Sequence, residues 1–534
     1  MTDFTPGTIV ISASSDRWND FGERIFIEIT IIGRRDIAAS QEPVLFSGYF
    51  GFIENPSERQ DTSYLREITG QRGQVPVLAT EAPTFFTMLP DMASYRRLVQ
   101  HLGQDEARHA LQAMNDVVEA DDQPGGKHWL RLAKQSRVFS VAFLRRTESY
   151  FTWKNAASIL RGVENEQFGR MSNGLRIRFQ LAGRPNEHDL SFRFHHTEHI
   201  LPQRFAIVIG QNGVGKSQTL SQVINAALLG KTNLTDLDGQ RPLLNRILGF
   251  YPSAVNSNTF PTDRRKRTRT WYRRFSMSGG RARQTTSDLL VQLARSPESI
   301  GDRRRFDIFL KSIAAIDGSE QLAVRAKAAG GRPIHIDALQ RGSEQQLIDR
   351  YATISTHREP VRVINDRVFP LSSGELSFLR FAALASLYIE NGTLLLFDEP
   401  ETHLHPNFIS QFVVLLDQLL EQTGSAAIIA THSVYFVREA FEDQIVVIRS
   451  DESHRISVET PTLKTFGADV GAISYFVFGE DQQSRLALAA ERKIIDRSLS
   501  WEQIYREYNS KISLDLLGEI RTRIESSDPG VDSQ

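Results

Sequence analysis

An α/β fold built around a parallel sheet is predicted by three features of this 534-residue chain. The first is a glycine loop, Gly210-Gln211-Asn212-Gly213-Val214-Gly215-Lys216-Ser217, placed directly after the apolar run Ala206-Ile207-Val208-Ile209. The second is the apolar run Thr393-Leu394-Leu395-Leu396-Phe397, which ends in Asp398 and Glu399. The third is Ala427-Ile428-Ile429-Ala430-Thr431, which ends in His432. Strands this apolar need cover on both faces, as in a parallel sheet flanked by helices. Polar residues at their ends then emerge at the carboxyl edge, where such sheets hold ligands.

The loop fits the phosphate-loop pattern of two glycines bracketing four residues and then Lys-Ser. Glycines let the backbone turn tightly and approach a polyphosphate closely. Successive N–H groups then form an anion-binding nest at a helix N-terminus. In such a loop Gly210, Asn212, Gly213, Gly215, Lys216, Ser217 and Gln218 surround a nucleotide. Lys216 meets its β- and γ-phosphates, and Ser217 holds Mg²⁺. Asp398 is placed to join the Mg²⁺ shell, and Glu399 to polarise an attacking water.

Leu371-Ser372-Ser373-Gly374-Glu375 opens a predicted helix that runs to about Glu390. Serines in that position are ordinary N-caps. A helix N-terminus also attracts anions, so Ser372, Ser373 and Gly374 are candidates for a γ-phosphate contact. A second helix is expected from Pro406, a good first-turn residue, to Gly424, with Phe408, Phe412, Leu415, Leu416, Leu419 and Leu420 on one broad face. It links two strands, and the strand–helix–strand unit should return His432 beside Asp398.

As a set these motifs resemble the ABC-type ATPases: Walker A at 210–217, signature at 371–375, Walker B at 393–399 and switch histidine at His432. The run from Asp398 through Pro400, Glu401 and Thr402 to Pro406 is similar to the RecF- and SMC-like branch, and within it to the AAA_21 and overcoming-lysogeny-defect (OLD) type. The chain most resembles the ATPases of the bacterial anti-phage systems Septu and PARIS, and residues 465–479 share that likeness. The resemblance implies ATP and Mg²⁺ as cofactors and Glu399 as general base, with His432 sensing the γ-phosphate. It implies that Ser372 and Gly374 act in trans on ATP held by another copy, which calls for a homodimer or higher homo-oligomer. It also implies a sensor or regulator in a defence complex with a separate effector, a nuclease or toxin. Departures from the transporter pattern are Ser373 and Glu375 in the signature and Gln218 after the loop. The Q-loop glutamine is unassigned, because Arg246 to Ser253 occupies its place. Slow hydrolysis is therefore expected, with an ATP-bound dimer as the working state.

Three regions are expected. Residues 1–170 form an α+β extension, a sensor or docking domain or a brace. It carries strand-like runs at 8–11 and 25–32 and helical residues from Tyr95 to Val118. Residues 171–480 form the head, starting with Leu175 to Phe179 as an edge-sheet strand and interrupted by an insertion at about 254–345. Residues 481–534 form a helical tail. The insertion is too short for long coiled-coil arms.

From Arg264 to Arg283 there are nine basic residues and no acids, with Trp271, Tyr272 and Phe275 interleaved. Arg264, Arg265, Lys266, Arg267, Arg269, Arg273 and Arg274 could grip phosphates while aromatics stack on bases, giving DNA or RNA as partner. An acidic surface such as a phage protein, or a solvated loop, would read the same way. A RecF-like DNA-repair ATPase is the alternative function on this basis. His195-His196-Thr197-Glu198-His199 reads as a surface turn, lacking a metal-finger framework.

Formal net charge is −1, which excludes a globally polycationic protein but not local patches. With no cysteine there is no disulfide and no cysteine–zinc site. No apolar run approaches the ~20 residues needed to span a bilayer. The start lacks a basic segment followed by an apolar core, so a cytoplasmic location is expected.

Overall fold

The computed structural model describes residues 9–14, 25–31, 43–53, 84–123, 127–168, 170–194, 203–251, 260–263, 268–277, 284–328, 330–403, 406–478, 485–497 and 499–527. The chain divides into two compact units, Met1–Val470 and Gly471–Gln534.

In the larger unit, β1 (Ile9–Ala13), β2 (Phe26–Ile31), β3 (Val44–Phe52) and β4 (Phe85–Met88) form an antiparallel sheet in chain order. Its first two strands fall on the two apolar runs read from the sequence. Helices Met92–Leu102, Gln104–Ala113 and Val117–Asp122 follow, so the helical stretch expected from Tyr95 to Val118 is three helices broken at Gly103 and at Met114 to Asp116. The Asp91 side chain caps the first of them, accepting from Ser94 N at 2.8 Å. Ile27, Ile29, Phe46, Phe50 and Phe86 of the sheet share one buried core with Leu98, Leu111 and Phe139.

A three-stranded antiparallel sheet combines β5 (Gly174–Phe179), β6 (His188–Arg193) and β8 (Leu234–Thr235) in the order β6-β5-β8. The strand expected at a sheet edge is thus the central one. Its alternation reflects a buried face of Leu175, Ile177 and Phe179.

The main sheet has seven strands. They are β7 (Phe205–Gly210), β9 (Arg246–Tyr251), β10 (Trp271–Ser276), β17 (Leu394–Asp398), β18 (Ala426–Thr431), β19 (Ile445–Ser450) and β20 (Ile456–Glu459). The order is β10-β9-β17-β18-β7-β19-β20, and every pairing but the last is parallel. This is the α/β architecture with a parallel-rich sheet that the sequence predicts. β7, β17 and β18 are buried at every residue, as strands covered on both faces must be.

On one face the helices Ser373–Tyr388 and Pro406–Thr423 pack through aromatic rings. Phe412 sits 5.4 Å edge-on from Phe397 of β17 and 5.1 Å from Phe381, while Phe397 stacks on Phe250 of β9 at 5.1 Å. Such offset and edge-to-face pairs add to plain burial and fix helix position over the sheet. The expected insertion contributes β10 to the main sheet itself. It also supplies β11 (Ser299–Ile300), β12 (Arg303–Arg304), β13 (Leu322–Val324) and β14 (Ile334–His335). A four-stranded antiparallel sheet, β14-β13-β15-β16, is completed by β15 (Val361–Ile364) and β16 (Arg367–Pro370), the hairpin leading into the signature.

An ionic node ties these layers together. Arg96 pairs with Glu166 at 2.6 Å and with Glu390 at 2.6 Å, and all three side chains are at most 2% exposed. Arg305 donates to Ser386 O at 3.3 Å and to Ile389 O, and reaches Glu390 at 3.4 Å. Burial opposes the Glu390 charge, but Arg96, Arg305 and Arg246 outweigh it and hold the carboxyl down at about 2. The node grips the C-terminal end of helix Ser373–Tyr388, where cations suit the helix dipole.

In the smaller unit, helices Arg485–Ile495, Trp501–Tyr508 and Leu514–Ser527 close a small core of Ile494, Ile504, Leu517 and Ile520. Among the described residues no helix is long and apolar enough to cross a membrane.

Candidate functional site

β7 ends at Gly210, where an added Cβ would lie 2.2 Å from Ile448 O of the neighbouring strand. Only glycine permits that approach. The loop turns through Gly215 at φ +103° into the helix Lys216–Leu229. A side chain at Gly215 would meet Leu181 at 2.8 Å. Arg184, from the turn between β5 and β6, donates to Gly213 O at 2.7 Å and steadies the loop from outside. Asn212 and Gln218 are exposed.

Lys216 is buried and folds back on the loop, donating to Gly210 O at 2.8 Å and Gln211 O at 3.1 Å. Burial pushes its ammonium down from its ordinary range, while Glu399, Glu401 and Asp398 pull in the opposite direction. Ser217 Oγ donates to Asp398 Oδ1 at 2.6 Å, bridging segments 181 positions apart. Burial pushes the Asp398 carboxyl up to about 6. Glu399 and Glu401 add to the rise, and Ser217 and Lys216 oppose it.

Parallel register explains the convergence. Asp398 pairs with Ala430, and Thr431 pairs with Ile209, so β17, β18 and β7 end side by side. Beyond β17 the chain turns sharply. Glu399 has φ +45°, its N–H donates to Ala430 O at 2.8 Å, and a 3₁₀ turn runs Pro400–His403. His432 Nδ1 stands 3.9 Å from Glu399 Oε1, and both side chains are partly exposed at the edge. The structure thus brings together Lys216, Ser217, Asp398, Glu399 and His432.

Glu401 is a further site residue that the sequence reading missed. Its side chain is 6% exposed, and Oε1 accepts from Thr431 Oγ1 at 2.6 Å and from His432 N at 2.9 Å. His432 Nδ1 lies 3.1 Å from the same oxygen. The only sequence signal was Pro400, which forces a turn after the strand and can swing the next acid back.

At the signature, Ser372 caps the helix Ser373–Tyr388 through a reciprocal capping box with Glu375. Ser372 N and Oγ both donate to Glu375 Oε2, at 2.8 and 2.7 Å, and Arg362 donates to the other carboxylate oxygen at 2.6 Å. Burial would raise the Glu375 carboxyl, but the Ser372 bonds and Arg362 prevail and lower it. Ser372 and Ser373 are exposed, and Gly374 is buried. Among the described residues, the side-chain hydrogen bonds of Ser372 go to Glu375 and do not reach the phosphate loop of the same chain.

Of the basic stretch, Arg264, Arg265, Lys266, Arg267, Arg281 and Arg283 lie outside the described residues, as does His195-His196-Thr197-Glu198-His199. Arg273 lies on Tyr388 at 4.3 Å and Arg274 donates to Phe260 O at 2.7 Å. Tyr272 is buried, and Phe275 stacks on Tyr388 at 5.1 Å. These rings serve the sheet edge. Arg269 lines a surface cavity of about 290 Å³ together with Lys231 and Arg241. No glutamine fills the Q-loop place among the described residues, where Arg246 pairs with Glu148 at 2.7 Å.

Residues 341–438 match the family model described as "AAA domain, putative AbiEii toxin, Type IV TA system". Over 454 residues the chain is 25% identical to Protein ea59 of Escherichia phage lambda, covering 76% of this chain and 82% of that one. Among solved structures it is similar to cbiO1 from Clostridium perfringens, part of the ABC transporter complex cbiONQ, with 15% identity and a TM-score of 0.31 over 57% of this chain and 92% of that one. It is also similar to UvrA2 from Deinococcus radiodurans, with 15% identity and a TM-score of 0.28 over 57% of this chain and 40% of that one. The matched family segment carries the signature, the acidic strand end and His432. The acidic strand end and His432 lie with the phosphate loop on one sheet edge.

Proposed function

We propose that the chain binds ATP with Mg²⁺ at the edge formed by β7, β17 and β18 and hydrolyses it slowly. The observation that carries this reading is the 2.6 Å contact between Ser217 and Asp398, with Glu399 and His432 beside it. Two oxygen ligands already in contact suit a small hard cation that takes its remaining ligands from phosphate and water. Mg²⁺, when bound, neutralises charge developing on the phosphates. Lys216 exchanges its two loop carbonyls for phosphate oxygens, Glu399 orients and deprotonates the water, and His432 contacts the γ-phosphate. Ser372, Ser373 and Gly374 complete the site from a second copy.

In the cell, the chain acts as sensor or regulator of an anti-phage complex, controlling a separate nuclease or toxin through ATP-dependent dimerisation. The family description, which names a toxin system, and a relative carried by a phage support a role in phage–host conflict. Purifying the Glu399→Gln chain from its host with ATP present tests this reading. A stoichiometric nuclease or toxin is expected, and recovery of neither sinks the effector role.

The second reading is a RecF-like ATPase that binds DNA directly. Its support is the surface cavity lined by Arg269, Lys231 and Arg241, together with the basic residues Arg264 to Arg267 of the sequence. It requires ATP-dependent DNA affinity that falls steeply with salt and weakens on Arg→Glu change at 264, 265 and 267. Affinity for an acidic protein instead would assign the same residues to a phage-protein contact.

A further inference from the structure

We infer that Glu401 is a positioning residue for the nucleotide edge: it holds the His432 ring and thereby keeps Glu399 free to act on water. The inference rests on the proposal that this edge hydrolyses ATP, and it deepens that proposal.

Two donors converge on one Glu401 oxygen, Thr431 Oγ1 at 2.6 Å and His432 N at 2.9 Å, and His432 Nδ1 lies 3.1 Å from the same atom. A carboxylate only accepts hydrogen bonds, so its nearness favours the proton on Nδ1. The nitrogen left for the nucleotide side is then Nε2. Because the same oxygen also holds the His432 backbone N–H, ring and backbone are fixed together.

Two carboxylates compete for Nδ1. Glu401 Oε1 is at 3.1 Å and Glu399 Oε1 at 3.9 Å. Only the nearer is within hydrogen-bond range. The exposures fit this division of labour, at 6% for the Glu401 side chain and 30% for that of Glu399. Without Glu401, the ring is free to close on Glu399, and the water-activating carboxylate becomes tied to a histidine.

The arrangement has a cost. Glu401 Oε2 is buried with no hydrogen-bond partner among the described residues. Leaving such an atom unsatisfied costs about 1–3 kcal/mol. A group serving only the fold gains nothing from that placement, whereas a site residue held by one oxygen does.

Histidine tautomers and steady-state turnover test the inference together. In full-length protein labelled with ¹⁵N at histidine and held at alkaline pH, the His432 signal is assigned by its loss in His432→Ala. Glu399→Ala is expected to leave His432 in the Nδ1–H form, and adding Glu401→Met to convert it to the Nε2–H form. Loss of Nδ1–H in Glu399→Ala alone, or its survival in the double variant, overturns the proposal, and neither result needs turnover.

In the ATPase assay, Glu401→Met, which fills the volume without an acceptor, is expected to lower kcat about 10–100-fold with KM for ATP within about 2-fold. Glu401→Gln, which still accepts through its amide oxygen, should stay within about 3-fold of the wild type. Adding Glu401→Met to His432→Ala should cost nothing more, because the two residues act as one unit. Full kcat in Glu401→Met overturns the inference. If the wild-type chain hydrolyses no ATP, the reading of the site fails separately, and the tautomer result still decides the role of Glu401.

Discussion

Asp398→Asn is expected to make the nucleotide-free protein more stable while removing its grip on a divalent cation. Asp398 is 5% exposed, and its ordinary carboxyl value of 3.8 is pushed up to about 6 by burial, with Glu399 and Glu401 adding to the rise. The folded value lies above the unfolded one. The stability this group contributes is therefore complete below pH 3.8 and is lost as pH rises through about 6. At about 1.4 kcal/mol for each pH unit, the loss at pH 8 is about 3 kcal/mol. Asparagine never ionises, and its side-chain oxygen can still accept from Ser217 Oγ.

Thermal unfolding in chelator, with wild type and variant compared at pH 8 and pH 5, measures the effect. For a unit as large as Met1–Val470 the gain corresponds to about 3 °C at pH 8, and the gap should narrow by about half at pH 5. Mg-ATP at about 100 times its Kd should raise the stability of the wild type by about 2.7 kcal/mol and leave the variant unmoved. A variant less stable than wild type at pH 8, or a gap independent of pH, refutes the reasoning that Asp398 is a destabilising charge kept for its cation.

Three other outcomes are expected. Lys216→Ala should weaken binding of a fluorescent ATP analogue at least about 100-fold, since charged hydrogen bonds contribute about 1.5–3 kcal/mol each; normal affinity would remove Lys216 from the phosphate loop's role. Ser372→Arg should leave monomeric ATP binding intact but abolish turnover. Mixing it with Lys216→Ala chains should restore part of the activity, and no recovery would contradict a composite site. Arg96→Met should lower thermal stability by the equivalent of about 3–5 kcal/mol, because it leaves Glu166 and Glu390 buried beside too little positive charge; a neutral result would mean the ionic node contributes nothing to the fold.

The parallel core was legible because each of its strands is an apolar run ending in a chemically useful residue. Register then does what spacing alone could only suggest, setting Gly210, Asp398 and His432 on one edge. β10 was not legible as a core strand. Two of its six residues are arginines, and the charge run hid a strand whose Arg273 lies flat on Tyr388. The node of Arg96, Glu166, Arg305 and Glu390 was invisible because its members come from four distant segments and follow no local period. Glu401 was hidden in plain sight among three acids. The 3₁₀ turn at Pro400–His403 decides which of them faces the nucleotide edge and which turns back to hold His432.

The capping box at the signature would make the proposed nucleotide docking there an exchange reaction. The helix N-terminus is already occupied by a carboxylate from its own chain, held on the far side by Arg362. A phosphate that docks on Ser372 must displace Glu375, swapping one anion for another, so little net charge is gained. A strongly charged terminal phosphate can win that competition where a neutral or absent group cannot. Under the proposed composite site, that exchange would favour a triphosphate over a diphosphate, and the released Glu375, still paired with Arg362, would be ready to reclaim the serine once the phosphate departs.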